Sequence, residues 1–475
     1  MHFRIMFPRA RRFLLAAAFA LAGVASFTLS SLPAMANLPS ASSHAEPSTL
    51  QWVATSVAAI AHLAPPIADF LQPGGTLDLP TGFAGSDVPA GHQLKRASGG
   101  ALRFAPFVPG DEYWVDGFGE PGMADTVHAL AMDESGNLYA GGDFVIAGGV
   151  GASRVARWDG SAWGPLGSGM NHGVYALAVD GQGNLYAGGD FTTAGGADAN
   201  RIARWDGSAW HPLGSGTDGT VMSLALDGQG NLYAGGRFTM AEDVNANYIA
   251  RWDGSTWHPL GSGMVGYWYP YVSALALDRQ NDLYAGGQFT NTGGVDANYI
   301  ARWDGSAWHP LRRGVEGAYP TVWALAFDGQ GNPYVGGNFT SAGDQHARNI
   351  ARWDGSAWHI LGSGVNYFVY TLAPDRQGNV YAGGKFTYAG SIMTPYVARW
   401  DGSAWHSLGS GMWGYRPYPY VNALAVDGQR NLYVGGSFKT VGGKPSSNIA
   451  LWIGEAVRYR SFSPFVPTRY STLAP

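Results

Sequence analysis

Seven consecutive segments of this chain repeat one pattern of residues, and this repetition limits the possible fold more than any other feature. Each copy approximates V-x-A-L-A-x-D, then N-L-Y-A-G-G-x-F, then I-A-R-W-D-G, and six copies end in S-A-W-H-P-L-G-S-G or a close variant of it. The tryptophan of the R-W pair recurs every 47 to 52 residues, at Trp158, Trp205, Trp252, Trp303, Trp353, Trp400 and Trp452. A period of this length indicates one small structural unit repeated in series.

Each copy has the pattern of a four-stranded antiparallel sheet. In the second copy, Val174 to Val179 is apolar at every position, which predicts an inner strand buried on both faces. Leu185 to Gly189 follows as a second strand, and its two glycines permit close approach of a neighbouring backbone. Arg201 to Trp205 supplies the third strand. The dipeptide Asp206-Gly207 then predicts a type I′ hairpin turn.

The fourth strand carries a proline at the same place in four copies, at Pro165, Pro212, Pro259 and Pro310. Proline cannot donate a hydrogen bond to a neighbouring strand, so this strand is expected at the outer edge of its sheet. Each sheet can bury its faces only against its neighbours. The sequence therefore predicts an all-β fold, a seven-bladed β-propeller of four-stranded antiparallel blades.

Two segments are candidates for the missing outer strand of the last blade. Tyr113 to Gly119 imitates the W-x-P-L-G-S-G segment and leads into the first copy, so the N-terminal end of the repeat region is one candidate. Gly454 to Val457 matches G-S-A-W in register, so the C-terminal end is the other. We favour the N-terminal segment, because it reproduces more of the pattern.

The chain outside the repeats has three parts. Residues 1–36 combine four arginines, an apolar run and Ala34-Met35-Ala36, which predicts a secretory signal peptide. Residues 37–100 form a linker and a small N-terminal region with a possible helix at 50–71. The propeller is expected over 111–457 and a C-terminal tail over 458–475.

Composition narrows the environment and the partners. Removal of the signal peptide leaves 25 basic and 34 acidic residues, a net charge of −9, so nucleic acid is not an expected partner. The chain has no cysteine, so its stability comes from packing without disulfides. No second apolar run has the length of a membrane span. We therefore expect a secreted, extracellular or cell-envelope protein, a monomer without cofactor and without a transmembrane span in its mature form.

The repeat resembles known propeller families. The unit G-G-x-F-T, a short loop and N-x-I-A-R-W-D-G is similar to the secreted bacterial repeats of the delta-sixty type and to the fungal cortical cell-polarity marker family. It resembles Kelch and WD-repeat propellers more loosely. The resemblance covers about residues 127–454. It implies a surface location and an interaction role, and it supplies no set of catalytic residues.

Residues that recur in the copies are expected to serve the fold. An aspartate follows each first strand and is expected to form a turn, because its side chain can accept a hydrogen bond from the backbone two residues on. The arginine of the R-W pair is expected to stack on an indole or to pair with a turn carboxylate of a neighbouring blade. The outer-strand histidines lie in separate blades, too far apart to share a metal ion, so no metal site is predicted at His211, His258, His309, His359 and His406.

Residues that differ between copies are the candidate site. One set precedes the phenylalanine of G-G-x-F, and the other lies in the loops joining successive blades; in a propeller both emerge on one face. Exposed aromatic rings there suit stacking on sugars or anchoring a partner protein, although they are also consistent with capping of blade junctions. The predicted ligand-binding residues are Tyr267, Trp268, Tyr269, Tyr271, Tyr319, Tyr367, Trp413, Tyr415, Tyr418, Tyr420, Asp143, Asp190 and Arg237.

Two functions are compatible with these features. The first is a binding or interaction scaffold whose loop-bearing face holds an extracellular polysaccharide or a surface protein. The alternative is a propeller-type glycoside hydrolase or lyase with acidic residues at the central funnel, which needs paired carboxylates in adjacent blades. Asp143 and Asp190 are the one adjacent pair of that kind in the sequence. We favour the scaffold and predict no catalytic residues.

Overall fold

The computed structural model describes residues 92–96, 102–106, 108–115, 118–267, 269–414 and 419–454. The predicted signal peptide, the possible helix at 50–71 and the tail at 458–475 lie outside these residues. The chain divides into two compact units, residues 1–107 and 108–475. The described residues of the first unit form an antiparallel pair of strands, His92–Arg96 and Leu102–Pro106.

The second unit is built from antiparallel sheets in a propeller-like arrangement, each in the order inner, second, third and outer strand. Sheets 1 to 3 comprise Val127–Met132, Leu138–Gly142, Val155–Trp158 and Trp163–Pro165; Val174–Val179, Leu185–Gly189, Ile202–Trp205 and Trp210–Pro212; and Val221–Leu226, Leu232–Gly236, Ile249–Trp252 and Trp257–Pro259. Sheets 4 and 5 comprise Tyr271–Leu277, Leu283–Gln288, Ile300–Trp303 and Trp308–Pro310; and Thr321–Phe327, Pro333–Asn338, Ile350–Trp353 and Trp358–Ile360. Sheets 6 and 7 comprise Val369–Pro374, Val380–Gly384, Val397–Trp400 and Trp405–Ser407; and Tyr420–Val426, Leu432–Ser437 and Ile449–Trp452. The predicted proline-bearing strands are the outer edges of their sheets.

Short strands lie in the segments between the second and third strands, and those of sheets 4, 5 and 7 also pair with a short strand in the preceding loop between sheets. They are Ile146–Ala147 with Val150–Gly151, Thr193–Ala194 with Ala197–Asp198, Met240–Ala241 with Val244–Asn245, Met264–Val265 with Asn291–Thr292 and Val295–Asp296, Val315–Glu316 with Ser341–Ala342, Tyr388–Ala389 with Ile392–Met393, and Met412–Trp413 with Thr440–Val441 and Lys444–Pro445. A single 3₁₀ turn, Asp111–Tyr113, precedes the sheets in the described part of this unit.

Glycines set the spacing between successive sheets, as the sequence predicted. A Cβ atom on Gly188 would lie 2.5 Å from Cγ1 of Val221, the first valine of the next inner strand. The corresponding glycine of sheet 7, Gly435, faces Val127 of sheet 1 in the same way. Only a residue without a side chain permits this approach. Sheet 7 therefore packs against sheet 1 as any other sheet packs against its successor.

The N-terminal segment supplies the outer strand of sheet 7. Trp114 forms an antiparallel bridge with Trp452. The amide of Val115 donates to the carbonyl of Leu451, and the amide of Ile453 donates to the carbonyl of Tyr113, both at 2.9 Å. This pairing confirms the favoured N-terminal alternative. The competing segment is described only at Gly454.

The inner strands pack against the core on both faces, but they are less buried than the sequence predicted. In Val174–Val179, Val174 and Ala176 are buried and the other residues are partly exposed, although Leu177 and Val179 also pack against a core cluster. In the inner strand of sheet 6, the neighbouring residues Leu372 and Ala373 are both buried. The partial exposure arises because these strands border a central cavity, whose lining includes Ala176 and Leu177.

The turns also differ from expectation in one respect. Oδ1 of Asp180 accepts hydrogen bonds from the amides of Gln182 and Asn184 at 2.9 and 2.8 Å, which confirms the turn role of the first-strand aspartates. The Asp206-Gly207 loop is not type I′, because only Gly207 has a positive φ, of 97°. Instead, Asp206 Oδ1 accepts hydrogen bonds from the two amides that follow Gly207.

The repeat arginines pair within their own sheet rather than with a neighbour. Arg352 Nε lies 3.0 Å from Oδ2 of Asp328, the turn aspartate of sheet 5. In sheet 4, Arg302 Nη1 lies 2.8 Å from Asp282 Oδ2. The second and third strands are adjacent in each sheet, so the arginine on the third strand reaches the turn that precedes the second. The expected pairing between blades is therefore wrong at these two positions.

Candidate functional site

The loops between sheets and the ends of the second strands lie together on one face, as predicted. Tyr420, which follows the last of these loops, pairs with Ser437 at the end of the second strand of sheet 7. The side-chain amide of Asn338, at a second-strand end, donates to the carbonyl of Tyr319 in a loop between sheets, at 2.7 Å. We call the surface formed by these loops and strand ends the channel mouth.

Below the channel mouth, the inner strands line a cavity of about 190 Å³. The residue after the first valine of V-x-A-L-A differs between sheets, and we call it the rim position: His128, Tyr175, Met222, Ser273, Trp323, Tyr370 and Asn422. Five of these side chains line the cavity: His128, Ser273, Trp323, Tyr370 and Asn422. The leucines of the motif also line it, two residues further along each strand: Leu130, Leu177, Leu224, Leu275, Leu325, Leu372 and Leu424.

One side of the mouth is polar and centres on His128. Its Nε2 lies 2.7 Å from Asp143 Oδ2, and its Nδ1 lies 3.1 Å from the side-chain amide nitrogen of Asn422. An amide nitrogen can only donate, so Nδ1 accepts and Nε2 carries the proton that is donated to Asp143. Both nitrogens of the His128 ring are therefore engaged in hydrogen bonds within the protein.

Tyr175 and Asp190 extend the polar side into sheet 2. The Tyr175 hydroxyl donates to Asp190 Oδ2 at 3.2 Å, and its ring meets the His128 ring edge-on with centroids 5.1 Å apart. Burial, followed by the charges of Asp190 and Asp143, raises the pKa of Tyr175 to about 12. The hydrogen bond from His128 lowers the pKa of Asp143. Asp190 Oδ1 is buried and has no hydrogen-bond partner among the described residues.

The other side of the mouth is aromatic. The Trp323 ring lies 5.1 Å from Phe368 and 5.2 Å from Tyr370, with an edge-on geometry in both pairs. Tyr367 stacks on Phe368 with ring centroids 3.9 Å apart. The ring centroids of Tyr370 and Tyr420 are 6.4 Å apart, in an edge-on geometry. Such pairs hold large rigid rings in place at low conformational cost. The aromatic side therefore offers a preformed apolar surface.

The polar and aromatic sides meet on the inner strand of sheet 7. Tyr420 belongs to the aromatic side and Asn422, two residues later, belongs to the polar side. Both are partly exposed, whereas Val421 between them is buried. The mouth is therefore one continuous cup with apolar walls on one side and hydrogen-bonding groups on the other.

The predicted aromatic residues differ in exposure. Tyr269 is 89% exposed and Tyr319 is 84% exposed. Tyr367 and Trp413 are about half exposed, and Tyr267 is almost fully exposed. Trp268, Tyr415 and Tyr418 lie outside the described residues.

Tyr271 departs from the expectation of an exposed ring. It is buried, with 8% of its surface exposed, and the Arg237 guanidinium lies 4.8 Å above its ring centroid. Arg237 belongs to the neighbouring sheet 3 and is itself exposed. The cation–π contact therefore joins two predicted residues across a junction between sheets, and here the ring caps the junction.

Sequence reasoning missed the rim position. His128, Trp323, Tyr370 and Asn422 occupy it, and none of them is among the residues predicted from the loops and strand ends. A signal was present, because this position varies between copies inside a motif that otherwise repeats. The variation was hidden by the apolar strand around it, which indicated burial rather than a lining position.

The repeated histidines bind the aspartates of their own outer turns. For example, His258 Nε2 lies 2.6 Å from Asp253 Oδ2. That contact and the turn hydrogen bonds hold the pKa of Asp253 well below its usual range. In the ranges that the structure describes, no group of three or more histidine, aspartate or glutamate side chains could hold a metal ion. Across the same ranges, no helix has the length and apolar character needed to cross a membrane.

Neither a protein-family model nor a curated protein matches the sequence. Several solved structures are similar at low identity. The WD40 β-propeller domain of Doa1 is 14% identical, with a TM-score of 0.47, 72% of this chain and 97% of that chain being covered. Virginiamycin B lyase from Staphylococcus aureus is 10% identical, with a TM-score of 0.44 and coverage of 70% and 96%. PorZ, a surface component of the type-IX secretion system of Porphyromonas gingivalis, is 15% identical, with a TM-score of 0.44 and coverage of 76% and 49%.

The strand order, the packing between successive sheets and the shared central cavity define the class of this protein. It is an all-β repeat protein of the β-propeller class. The channel mouth, where the differences between copies are concentrated, is its candidate site.

Proposed function

We propose that this chain is a secreted or cell-surface β-propeller of seven blades that acts as a binding scaffold. Its ligand, an extracellular polysaccharide or a surface protein, is held at the channel mouth. The scaffold works as a monomer, without cofactor or metal and without catalysis. The resemblance of the repeat to secreted delta-sixty-type propellers supports the location.

The observation that carries this proposal is the contrast between the repeated residues of the sheets and the variable residues of the channel mouth. The residues that build the sheets repeat from copy to copy, whereas the rim position and the loops differ. Rigid aromatic rings and hydrogen-bonding groups converge at the mouth, as in sites that bind a ligand by shape and polarity. Among the described residues, five aromatic rings of this face are exposed or half-exposed: Tyr267, Tyr269, Tyr319, Tyr367 and Trp413. Leaving so much apolar ring surface in water is unfavourable, and contact with a ligand would offset that cost.

Retention on insoluble polysaccharide tests the proposal. The purified full chain should be retained on at least one of cellulose, chitin and peptidoglycan. Replacing Tyr319, Tyr367 and Trp413 together by alanine should weaken retention about tenfold or more, because exposed aromatic anchors carry much of the binding energy. Ile360→Ala is the matched control, since Ile360 is 46% exposed on an outer strand away from the mouth.

The outcomes of this test separate binding from packing. Unchanged thermal unfolding with lost retention supports a binding role for the three rings. Early unfolding of the triple variant, with no retention of the parent on any of the three materials, would mean that the rings cap blade junctions.

A glycoside hydrolase or lyase is the second candidate, because His128 and Asp143 lie beside Tyr175 and Asp190. Two features argue against it. Both nitrogens of His128 are engaged within the protein, and the raised pKa of Tyr175 keeps its hydroxyl protonated at neutral pH. Release of reducing sugar from any of the same polysaccharides, abolished by Asp190→Asn, would establish the enzyme instead.

A further inference from the structure

We propose that the cavity at the rim position binds the terminal ring of a neutral sugar chain, rather than an internal stretch of it. This inference rests on the proposed function and names the part of the ligand that enters the protein. It concerns the rim residues, which are distinct from the loop residues tested by polysaccharide retention.

The size of the cavity limits the ligand to a single ring. Its volume of about 190 Å³ is smaller than the roughly 300–1,000 Å³ of pockets that enclose drug-sized ligands. The rim side chains face the entrance, because the inner strands begin at the channel mouth. One sugar unit can therefore enter while the next unit stays at the level of the loops.

Leucine side chains dominate the cavity beyond the rim position. Seven leucines line it there, one from each inner strand, and among the described residues Ser223 and Thr371 are the only hydroxyl-bearing side chains beside them in the lining. A chain passing through would bring most of its hydroxyl groups against leucine rather than against a polar side chain. Leaving a hydroxyl without a partner costs roughly 1–3 kcal/mol, so binding of a terminal ring above the leucines is favoured over threading.

Several polar atoms around the cavity are available to a sugar. Trp323 Nε1, the Tyr370 hydroxyl and Asn422 Oδ1 all belong to lining residues, and none has a hydrogen-bond partner among the residues that the structure describes. A sugar presents apolar C–H faces and hydroxyl groups around its edge. It can therefore stack its apolar face on Trp323 or Tyr370 while its hydroxyl groups form hydrogen bonds with these polar atoms.

A side chain from a partner protein fits this cup less well. An aromatic or aliphatic side chain would contact the rings of Trp323 and Tyr370 but would leave the polar atoms of the rim unpaired and out of water. Leaving such groups unsatisfied costs about 1–3 kcal/mol each. The rim therefore discriminates in favour of a ligand with hydroxyl groups around an apolar face.

Ligand-detected NMR with small probes tests the inference. The probes are the methyl glycosides of glucose, galactose, mannose and N-acetylglucosamine, with N-acetyltyrosinamide as the peptide-like competitor. At least one glycoside should bind the full chain and displace it from polysaccharide. Trp323→Ala should weaken that binding about tenfold, equivalent to roughly 1.4 kcal/mol. Tyr370→Phe removes only an unpaired hydroxyl, so it should fold normally and still weaken binding.

Met222→Ala is the matched control, because Met222 occupies the rim position of sheet 3 but does not line the cavity. It should bind the glycoside as the parent does. Retention on polysaccharide without binding of any glycoside overturns the inference and leaves the proposed function standing. Absence of both polysaccharide retention and glycoside binding overturns the proposed function and this inference together. Binding of N-acetyltyrosinamide in preference to all four glycosides, or glycoside binding unaffected by both rim variants, also overturns the inference.

Discussion

The indole Nε1 of Trp114 donates a hydrogen bond to the carbonyl oxygen of Leu408, at 3.1 Å, although the two residues are 294 positions apart in sequence. Trp210 makes the same contact with Leu166, and Trp257 makes it with Leu213. Trp114 therefore occupies in sheet 7 the place that the outer-strand tryptophan occupies elsewhere. The beginning and the end of the repeat region are joined by this contact.

Loss of Trp114 should destabilise the second unit strongly. Trp114 is fully buried, and Trp114→Ala is expected to lower the free energy of unfolding by about 3–5 kcal/mol, as for other large buried side chains. Chemical denaturation measures this change. The half-exposed Trp413, changed to alanine, serves as the control and should shift stability by about 0.5 kcal/mol or less. Equal effects of the two substitutions would show that Trp114 does not join the ends.

A methyl group at Gly435 should disturb the junction between sheets 7 and 1. Its Cβ would lie 2.5 Å from Val127 Cγ1, so Gly435→Ala is expected to cost about 1–3 kcal/mol of stability through overpacking. Gly428→Ala is the control, because a Cβ there meets no atom within 4 Å. Thermal unfolding of both variants decides the point, and a Gly435 variant as stable as the control contradicts the packing described here.

Much of the arrangement of the sheets could be predicted from the sequence, whereas part of the candidate site could not. Glycine pairs, outer-edge prolines and turn aspartates act through local geometry, so their spacing predicted the strand order and the turns after the first strands, although the type of the Asp206-Gly207 turn was predicted wrongly. The imitation of W-x-P-L-G-S-G around Trp114 identified the outer strand of sheet 7 for the same reason.

The rim position could not be predicted in this way. Whether Trp323 or His128 faces a core or a cavity depends on the curvature that all sheets produce together, and the local pattern does not contain that information. The burial of Tyr271 under Arg237 also depends on two neighbouring sheets. The sequence predicted the face that carries the site, but it did not predict which side chains turn inward.

The contact between His128 and Asp143 should be visible in the ionisation of the carboxyl group. Since the hydrogen bond from His128 is the main cause of the lowered pKa of Asp143, His128→Ala should raise that pKa. Carbon-detected NMR titration of Asp143 measures it, with Met222→Ala as the control at the same strand position. An Asp143 pKa that is identical in the parent and both variants contradicts the contact.

The outer turn of sheet 1 should contribute stability that depends on pH. Hydrogen bonds from Ala162 and Ser161 lower the pKa of Asp159 from 3.8 to about 2. The charged form is therefore favoured in the folded state, and its contribution is present above pH 3.8 and lost as the pH falls towards about 2. Because Asp159 is exposed, solvent screening keeps this contribution small.

Asp159→Asn provides the measurement. Its denaturation midpoint should lie below that of the parent at pH 5, and the gap should narrow between pH 3.8 and about 2. Ser161 is retained in the variant, so the turn sequence is otherwise unchanged. A gap that stays constant or widens on acidification would show that the charged carboxylate does not hold the turn.

Hydrogen–deuterium exchange with bound polysaccharide is the most direct test of the account. On binding, amides in the loops between sheets and at the start of the inner strands of sheets 5, 6 and 7 should become protected. The outer turns around Asp206 and Asp253 should exchange as before. Protection confined to the outer turns, with none at the channel mouth, would contradict the central claim that this face holds the ligand.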